Sequence, residues 1–179
     1  MSAGHAAHAH GSDARRAPLA GVAVAVITVS DRRAAGEAED TAGPAIADAL
    51  HAAGAAVEAW IVPDGVESVR TALEQALTAQ ARVVLTTGGT GVAPRDLTPE
   101  ATEPFLARTL PGIPQMLRAV GRAHVPTAVL SRGLAGVTEG PVPALIVNLP
   151  GSESAAREAM EALLPLLPHV VSQMDGVDH

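Results

Sequence analysis

The 179-residue chain has no cysteine, no lysine and no tyrosine, and its only other aromatic side chains are Trp60 and Phe105. Without cysteine there is no disulfide framework, no thiolate nucleophile, no cysteine-ligated zinc and no iron–sulfur cluster. Without lysine there is no Schiff base, no covalently held pyridoxal phosphate and no Walker-type phosphate loop. The twelve basic side chains are all arginine, and against nineteen acids they leave a formal charge of -7. With so few rings for base stacking, that balance argues against a nucleic-acid binder. No stretch offers the roughly 18 uncharged apolar residues of a membrane helix. The opening residues carry no secretory h-region, so the expected location is cytoplasmic.

What is present is material for a core. Hydrophobic residues make up 47% and charged residues 17%, too apolar for a chain unable to offset its ordering entropy. The length suits one compact domain, and Ala, Val, Leu and Ile must fill its interior. Residues 1–19 are small and polar, include His5, His8 and His10, and show no apolar periodicity. They are read as a disordered extension whose histidines are a solvated tail rather than a metal site; the folded domain is expected over 20–179.

From Gly21 the pattern alternates between short β-branched runs and longer helical stretches. Residues 21–29 are almost continuously apolar and end at Ser30-Asp31, as in a parallel strand buried on both faces. Further strands are predicted over 57–62, 82–87, 126–130 and 144–149, and helices over 44–53, 66–80, 99–110 and 113–120. A last helix from Ser152 to Met174 is expected to be kinked at Pro165 and Pro168, which lack an amide hydrogen for the ladder. Successive βα units imply right-handed crossovers and a three-layer α/β/α domain of about five mostly parallel strands.

In such a sheet, ligands bind beyond the carboxyl ends of the strands. Gly88, Gly89 and Gly91 directly follow the third strand and relieve the steric bar on positive φ, so that successive amides can form an anion-binding nest. Thr98 precedes Pro99 and reads as a helix N-cap. The loop is no Walker A, and it lacks the full G-x-G-x-x-G spacing of a dinucleotide fold.

The run Thr86-Thr-Gly-Gly-Thr-Gly91, followed by Pro94-Arg-Asp-Leu-Thr-Pro-Glu-Ala-Thr102, resembles the molybdopterin adenylyltransferase (MogA/MoaB-type) family of molybdenum cofactor biosynthesis. Matching segments extend along most of the chain: Ser30-Asp31-Arg32 with Thr41-Ala-Gly-Pro44, Val62-Pro-Asp64, Leu130-Ser-Arg-Gly133 with Ala135-Gly136, and Ile146-Val-Asn-Leu-Pro-Gly151. The resemblance implies a molybdopterin-binding, MogA-like fold and Mg²⁺-dependent transfer of adenylate from ATP to molybdopterin, with release of pyrophosphate. It also implies a homotrimer or dimer of trimers and a downstream molybdenum insertase as partner.

Carried onto this chain, the resemblance makes Asp64 and Asp96 the catalytic, Mg²⁺-holding acids. Ser30, Asp31, Thr87, Gly88, Gly89, Thr90, Gly91, Arg95, Ser131, Asn148, Pro150 and Gly151 become substrate-binding positions. Nucleotidyl transfer rests on positioning and charge neutralisation, so the missing cysteine and lysine are no obstacle. Plainer readings stand beside these. Asp64 with Glu67 could cap the following helix; Asp96 could be a turn residue or pair with Arg95; Asn148 could be a turn former before Pro150-Gly151. Ser30, Asp31 and Ser131 could be ordinary caps, and His124 reads as surface or core. Gln115 stands where bacterial members of the family often carry an acid, a departure from the pattern. A non-catalytic pterin-binding paralogue remains open, as does a CinA-like nucleotide pyrophosphatase, although those relatives favour GGLG where this chain has Gly89-Thr90-Gly91.

Overall fold

The computed structural model describes residues 17–176. The elements in order are Ala23–Val29 (β1), Asp31–Ala34 (α1), Ala42–Ala52 (α2), Ala56–Val62 (β2), Val66–Thr78 (α3), Val83–Thr87 (β3) and Thr98–Thr102 (α4). Arg108–Thr109 (β4), Gly112–His124 (α5), Ala135–Val137 (β5), Leu145–Leu149 (β6), Glu153–Leu163 (α6) and Leu167–Met174 (α7) complete them. The six strands form one sheet in the order β2-β1-β3-β6-β5-β4. The pairs β2–β1, β1–β3 and β3–β6 are parallel, while β6–β5 and β5–β4 are antiparallel.

Period-two alternation divides the apolar strands between two cores. Val24, Val26, Val83, Leu85, Leu145 and Val147 face Ile46 and Leu50 of α2, Met160 and Leu163 of α6, and Leu167 of α7. Ala25, Ile27, Val84 and Ile146 face Val69 and Leu73 of α3 and Ala101 of α4. β3 and β6 are buried throughout, as strands sandwiched between helical layers must be. The expected three-layer, mostly parallel α/β/α architecture is present. Among the described residues, no helix is long and apolar enough to cross a membrane.

The antiparallel end departs from expectation. Residues 126–130, predicted as a strand, form a 3₁₀ turn, Pro126–Leu130, outside the sheet. Pro126 has no amide for a ladder, and Val129 and Leu130 are about half exposed. The place beside β6 belongs instead to β5, a three-residue strand whose Gly136 passes so close to the Arg108 carbonyl that an added Cβ would lie 2.6 Å from it. The helix predicted over 99–110 stops after α4, passes through a 3₁₀ turn at Glu103–Phe105 containing Pro104, and ends in β4. The sheet therefore has six strands rather than about five.

The last helix is broken as its prolines require, with a 3₁₀ turn at Leu164–Leu166 between α6 and α7. Leu19, placed by sequence in the extension, is fully buried, and its amide donates to the Ala53 carbonyl at 2.9 Å. The domain thus begins before residue 20. His5, His8 and His10 lie outside the described residues.

Candidate active site

The carboxyl ends of β1, β2, β3 and β6 open onto one rim, and the loop after β3 lies across it. Gly88 and Gly89 take φ of +104° and +64°, the left-handed region that glycine enters without a Cβ penalty. Space also demands glycine here: a Cβ on Gly88 would lie 2.3 Å from the Val29 carbonyl oxygen, and one on Gly89 2.3 Å from Thr98 Oγ1. Gly91 needs no positive φ, but its Cβ would meet Asp96 Oδ2 at 2.7 Å. Thr98 is not the N-cap predicted for it, since that position falls to Leu97. Buried as the first residue of α4, Thr98 donates its hydroxyl to the Gly88 carbonyl at 3.0 Å and its amide to Gly89 at 3.1 Å.

The loop after β6 closes on the same point. Thr87 Oγ1 donates to the Pro150 carbonyl at 2.6 Å, the Gly88 amide donates to Leu149 at 3.2 Å, and a Cβ on Gly151 would touch Gly88 Cα at 3.0 Å. Among the described residues, the amides of Gly89, Thr90 and Gly91 have no acceptor. Three successive free donors in a glycine turn suit an anion.

The carboxylates stand on the β2–β1–β3 side of the rim. Asp31 and Asp64 exchange bonds: the Asp31 amide donates to Asp64 Oδ2 at 2.9 Å and the Asp64 amide to Asp31 Oδ1 at 3.0 Å. The alternative of Asp64 as a helix cap is not realised; Gly65 holds the N-cap position of α3 without a side-chain bond. Arg95 Nη1 lies 4.0 Å from Asp31 Oδ2, so it faces Asp31 rather than its neighbour Asp96. Asp96 Oδ2 accepts from the Ala93 amide at 2.9 Å, fixing the turn.

Asp64 and Asp96 each retain a carboxylate oxygen with no partner among the described residues. No group of three or more metal-ligating side chains occurs among those residues, which disfavours a protein-only metal cage. Each free carboxylate oxygen is a hard ligand of the kind Mg²⁺ takes, one or two at a time, together with substrate phosphates and water.

Two arginines missed as site residues hold the rim in place. Arg33 Nη1 donates to the Gly151 carbonyl at 3.4 Å and its Nε to Glu39 at 3.2 Å, and the side chain lies 3.7 Å from Asp40. Asp40 in turn accepts from the Thr28 hydroxyl at 2.6 Å and from the Gly43 amide at 3.1 Å. Ser30 caps α1 through a 3.4 Å bond from the Arg33 amide, the ordinary role set beside its ligand role. Arg132 grips the glycine loop: its amide donates to Thr90 at 2.9 Å and its Nε to Gly91 at 2.7 Å, and its guanidinium bonds the Asp96 carbonyl and the Glu100 carboxylate. That hydrogen bond holds the Glu100 carboxyl below its ordinary value and raises the arginine. Arg132 belonged to a matched motif, but sequence offers no sign of where a guanidinium reaches.

Beyond the loop, on the β6 side, lies a cavity of about 280 Å³. Thr90, Gly91, Ser131, Asn148 and Pro150 of the predicted set line it, with Leu117, Arg118 and Glu158 among its other walls. Asn148 is 3% exposed and is not a turn former: its Oδ1 accepts from the Leu134 amide at 3.0 Å, and its Nδ2 donates to the Thr86 and Thr102 hydroxyls at 3.0 and 2.9 Å. Ser131 Oγ accepts only a 3.4 Å bond from Gly133, leaving its hydroxyl hydrogen for a ligand. Gln115 is exposed on α5 outside the cavity lining. His124 is exposed 3.8 Å from Glu158, a surface position as expected.

A mostly parallel α/β sheet that gathers a glycine loop, free carboxylates and a cavity at its strand ends has the architecture of domains that bind ligands along that edge. The chain belongs to the family of probable molybdopterin binding domains, whose model matches residues 25–169. It is 41% identical over 162 residues to a molybdenum cofactor biosynthesis bifunctional protein of Synechococcus elongatus, covering 90% of this chain and 50% of that protein. The chain thus spans about half the length of that relative. A molybdopterin adenylyltransferase of Helicobacter pylori is 37% identical over 163 residues, covering 86% of this chain and 88% of the relative. The crystal structure of the molybdopterin biosynthesis enzyme MoaB from Thermus thermophilus shares 45% identity with a TM-score of 0.77, covering 87% of this chain and 97% of that one.

Proposed function

We propose that the protein acts in molybdenum cofactor biosynthesis by transferring adenylate from ATP to the terminal phosphate of molybdopterin. A phosphate oxygen of the pterin attacks the α-phosphorus of ATP, and the bond to the departing pyrophosphate breaks. The observation that carries this reading is the glycine loop, whose free amides stand between a ligand-sized cavity and a pair of open carboxylates. In this reading the cavity takes the pterin, and the amides of Gly89, Thr90 and Gly91 take its phosphate. Asp64 and Asp96 would hold Mg²⁺, which when bound supplies positive charge to the polyphosphate. Arg95 adds its charge on the same side. No side chain is asked to become a nucleophile, in keeping with a reaction governed by positioning and electrostatics.

The same reading proposes a homotrimer or a dimer of trimers, and delivery of the adenylylated pterin to a downstream insertase. Incubating the purified protein with molybdopterin, ATP and Mg²⁺ tests the activity, with adenylyl-molybdopterin and pyrophosphate as the expected products. Pterin binding without either product would overturn it in favour of a non-catalytic pterin-binding protein. Sedimentation of the same preparation tests the assembly.

A further inference from the structure

Residues 92–95 of the glycine loop are all exposed, with Val92 at 70%. No buried apolar side chain therefore anchors the stretch that delivers Asp96 to the rim. Within the loop, the Asp96 amide donates to the Ala93 carbonyl at 2.9 Å and Asp96 Oδ2 accepts from the Ala93 amide at the same distance. These bonds shape the turn but do not attach it to the sheet. The attachment comes from Arg132, in the segment that leads into β5. One guanidinium reaches the Gly91 carbonyl at one end of the exposed stretch and the Asp96 carbonyl at the other. Glu100 on α4 receives the remaining face of the fork, one contact being at 3.4 Å, and so orients it. The Arg132 amide adds a fourth acceptor, Thr90.

We propose that Arg132 is a positioning residue for the adenylyl-transfer site, one that holds the Asp96 carboxylate and the three free loop amides in register with the cavity wall. The inference rests on the function proposed above. Its neighbour Ser131 lines the cavity, so a single dipeptide ties the pterin side of the rim to the carboxylate side. Arginine is required because three acceptors in different directions must be met at once by a planar fork; a lysine ammonium supplies the charge without that geometry. Arg132 is not among the residues that line the cavity. Its effect passes through Asp96 and the loop, where displacement by a fraction of an ångström is costly to a positioned reaction.

The test uses the full chain carrying Arg132→Gln, Arg132→Lys or Glu100→Gln, with turnover, KM for molybdopterin and amide hydrogen exchange measured together. Arg132→Gln is expected to lower kcat by about a hundredfold while KM for molybdopterin changes by less than about threefold. Arg132→Lys should recover little of that loss. Exchange at residues 89–96 should quicken by about tenfold with β3 and β6 amides unchanged, marking local rather than global opening. Restoration of kcat by lysine would overturn the proposal, because charge alone would then suffice. Acceleration spread equally over the sheet would also overturn it, because the role would be general stability. Should the Arg132 variants fail to fold, Glu100→Gln decides. It leaves every arginine-to-carbonyl bond possible and should give a loss of about threefold or more in kcat with faster loop exchange; no change in either sinks the clamp. If the parent itself makes no adenylylated product, the proposed reaction fails, and the exchange measurements still judge the clamp.

Discussion

Asp64 and Asn148 both stand at the carboxyl ends of parallel strands, yet the fold treats them in opposite ways. Asp64 uses one carboxylate oxygen to brace Asp31 and leaves the other open on the rim. Asn148 gives its carbonyl and both amide hydrogens to Leu134, Thr86 and Thr102, and is almost wholly buried. The rim is thus made of two kinds of polar residue, those that face a ligand and those that hold the platform beneath it. A motif contains both kinds side by side, and only the hydrogen-bond inventory separates them.

The comparison breaks most visibly at the carboxylates. Asp64→Asn keeps an oxygen to accept the Asp31 amide but removes the charge, and Asp96→Asn does the same toward Ala93. Each should cut Mg²⁺-dependent adenylylation by about a hundredfold or more while leaving stability within about 1 kcal/mol. Melting curves beside product assays check this, and near-normal turnover in either variant would exclude that carboxylate from the reaction.

Asn148→Ala should show the reverse pattern. It strands the Leu134 amide and removes the partner of two buried hydroxyls, at a cost of about 3 kcal/mol for the node. A fall in melting temperature of roughly 10 °C follows for a domain of this size. A thermally normal Asn148→Ala protein with impaired pterin binding would move Asn148 to the ligand-facing group.

What was legible in the chain follows the same division. The buried parallel strands and their helices were readable because β1, β3 and β6 are dense in β-branched and aliphatic residues, with helical spacing between them. The antiparallel end was not, because β4 and β5 have two and three residues and are held by non-local pairing with β6 rather than by any local pattern. At the site, the glycines announced the loop, whereas the partners of Asp64, Arg95 and Asn148 depended on contacts between segments distant in sequence. Arg33 and Arg132 were invisible for the same reason: their work is done on carbonyls, which every residue has.

Gly89→Val gives a smaller effect that touches both groups at once. Valine is strained at φ +64°, and its Cβ meets Thr98 Oγ1, which is itself bonded to the Gly88 carbonyl. The expected cost is about 1–3 kcal/mol of stability, more than the loop's exposure alone suggests, together with weaker binding of ATP and molybdopterin. Calorimetric titration against both ligands, paired with melts, checks it; unchanged affinity for both would remove this part of the loop from the site.

The smallest expected effect is that of pH on the Arg132–Glu100 pair, and it sharpens the comparison by asking whether an exposed bond serves stability or only position. The hydrogen bond from Arg132 holds the Glu100 carboxyl below the ordinary value of 4.5, so the unfolded chain takes up this proton more readily than the folded one. The pair's stabilisation is therefore complete above about pH 4.5 and is lost as pH falls through the lowered folded value. Arg132, whose own value is raised, keeps its charge throughout. Because both side chains are more than a third exposed, the contribution should stay under about 1 kcal/mol. Melting temperatures of the parent and Glu100→Gln should differ slightly at pH 7, and the difference should shrink as pH falls through the lowered folded value. A difference that stays unchanged at every pH down to acid unfolding would mean that the two proteins differ through packing rather than through the charge of the pair.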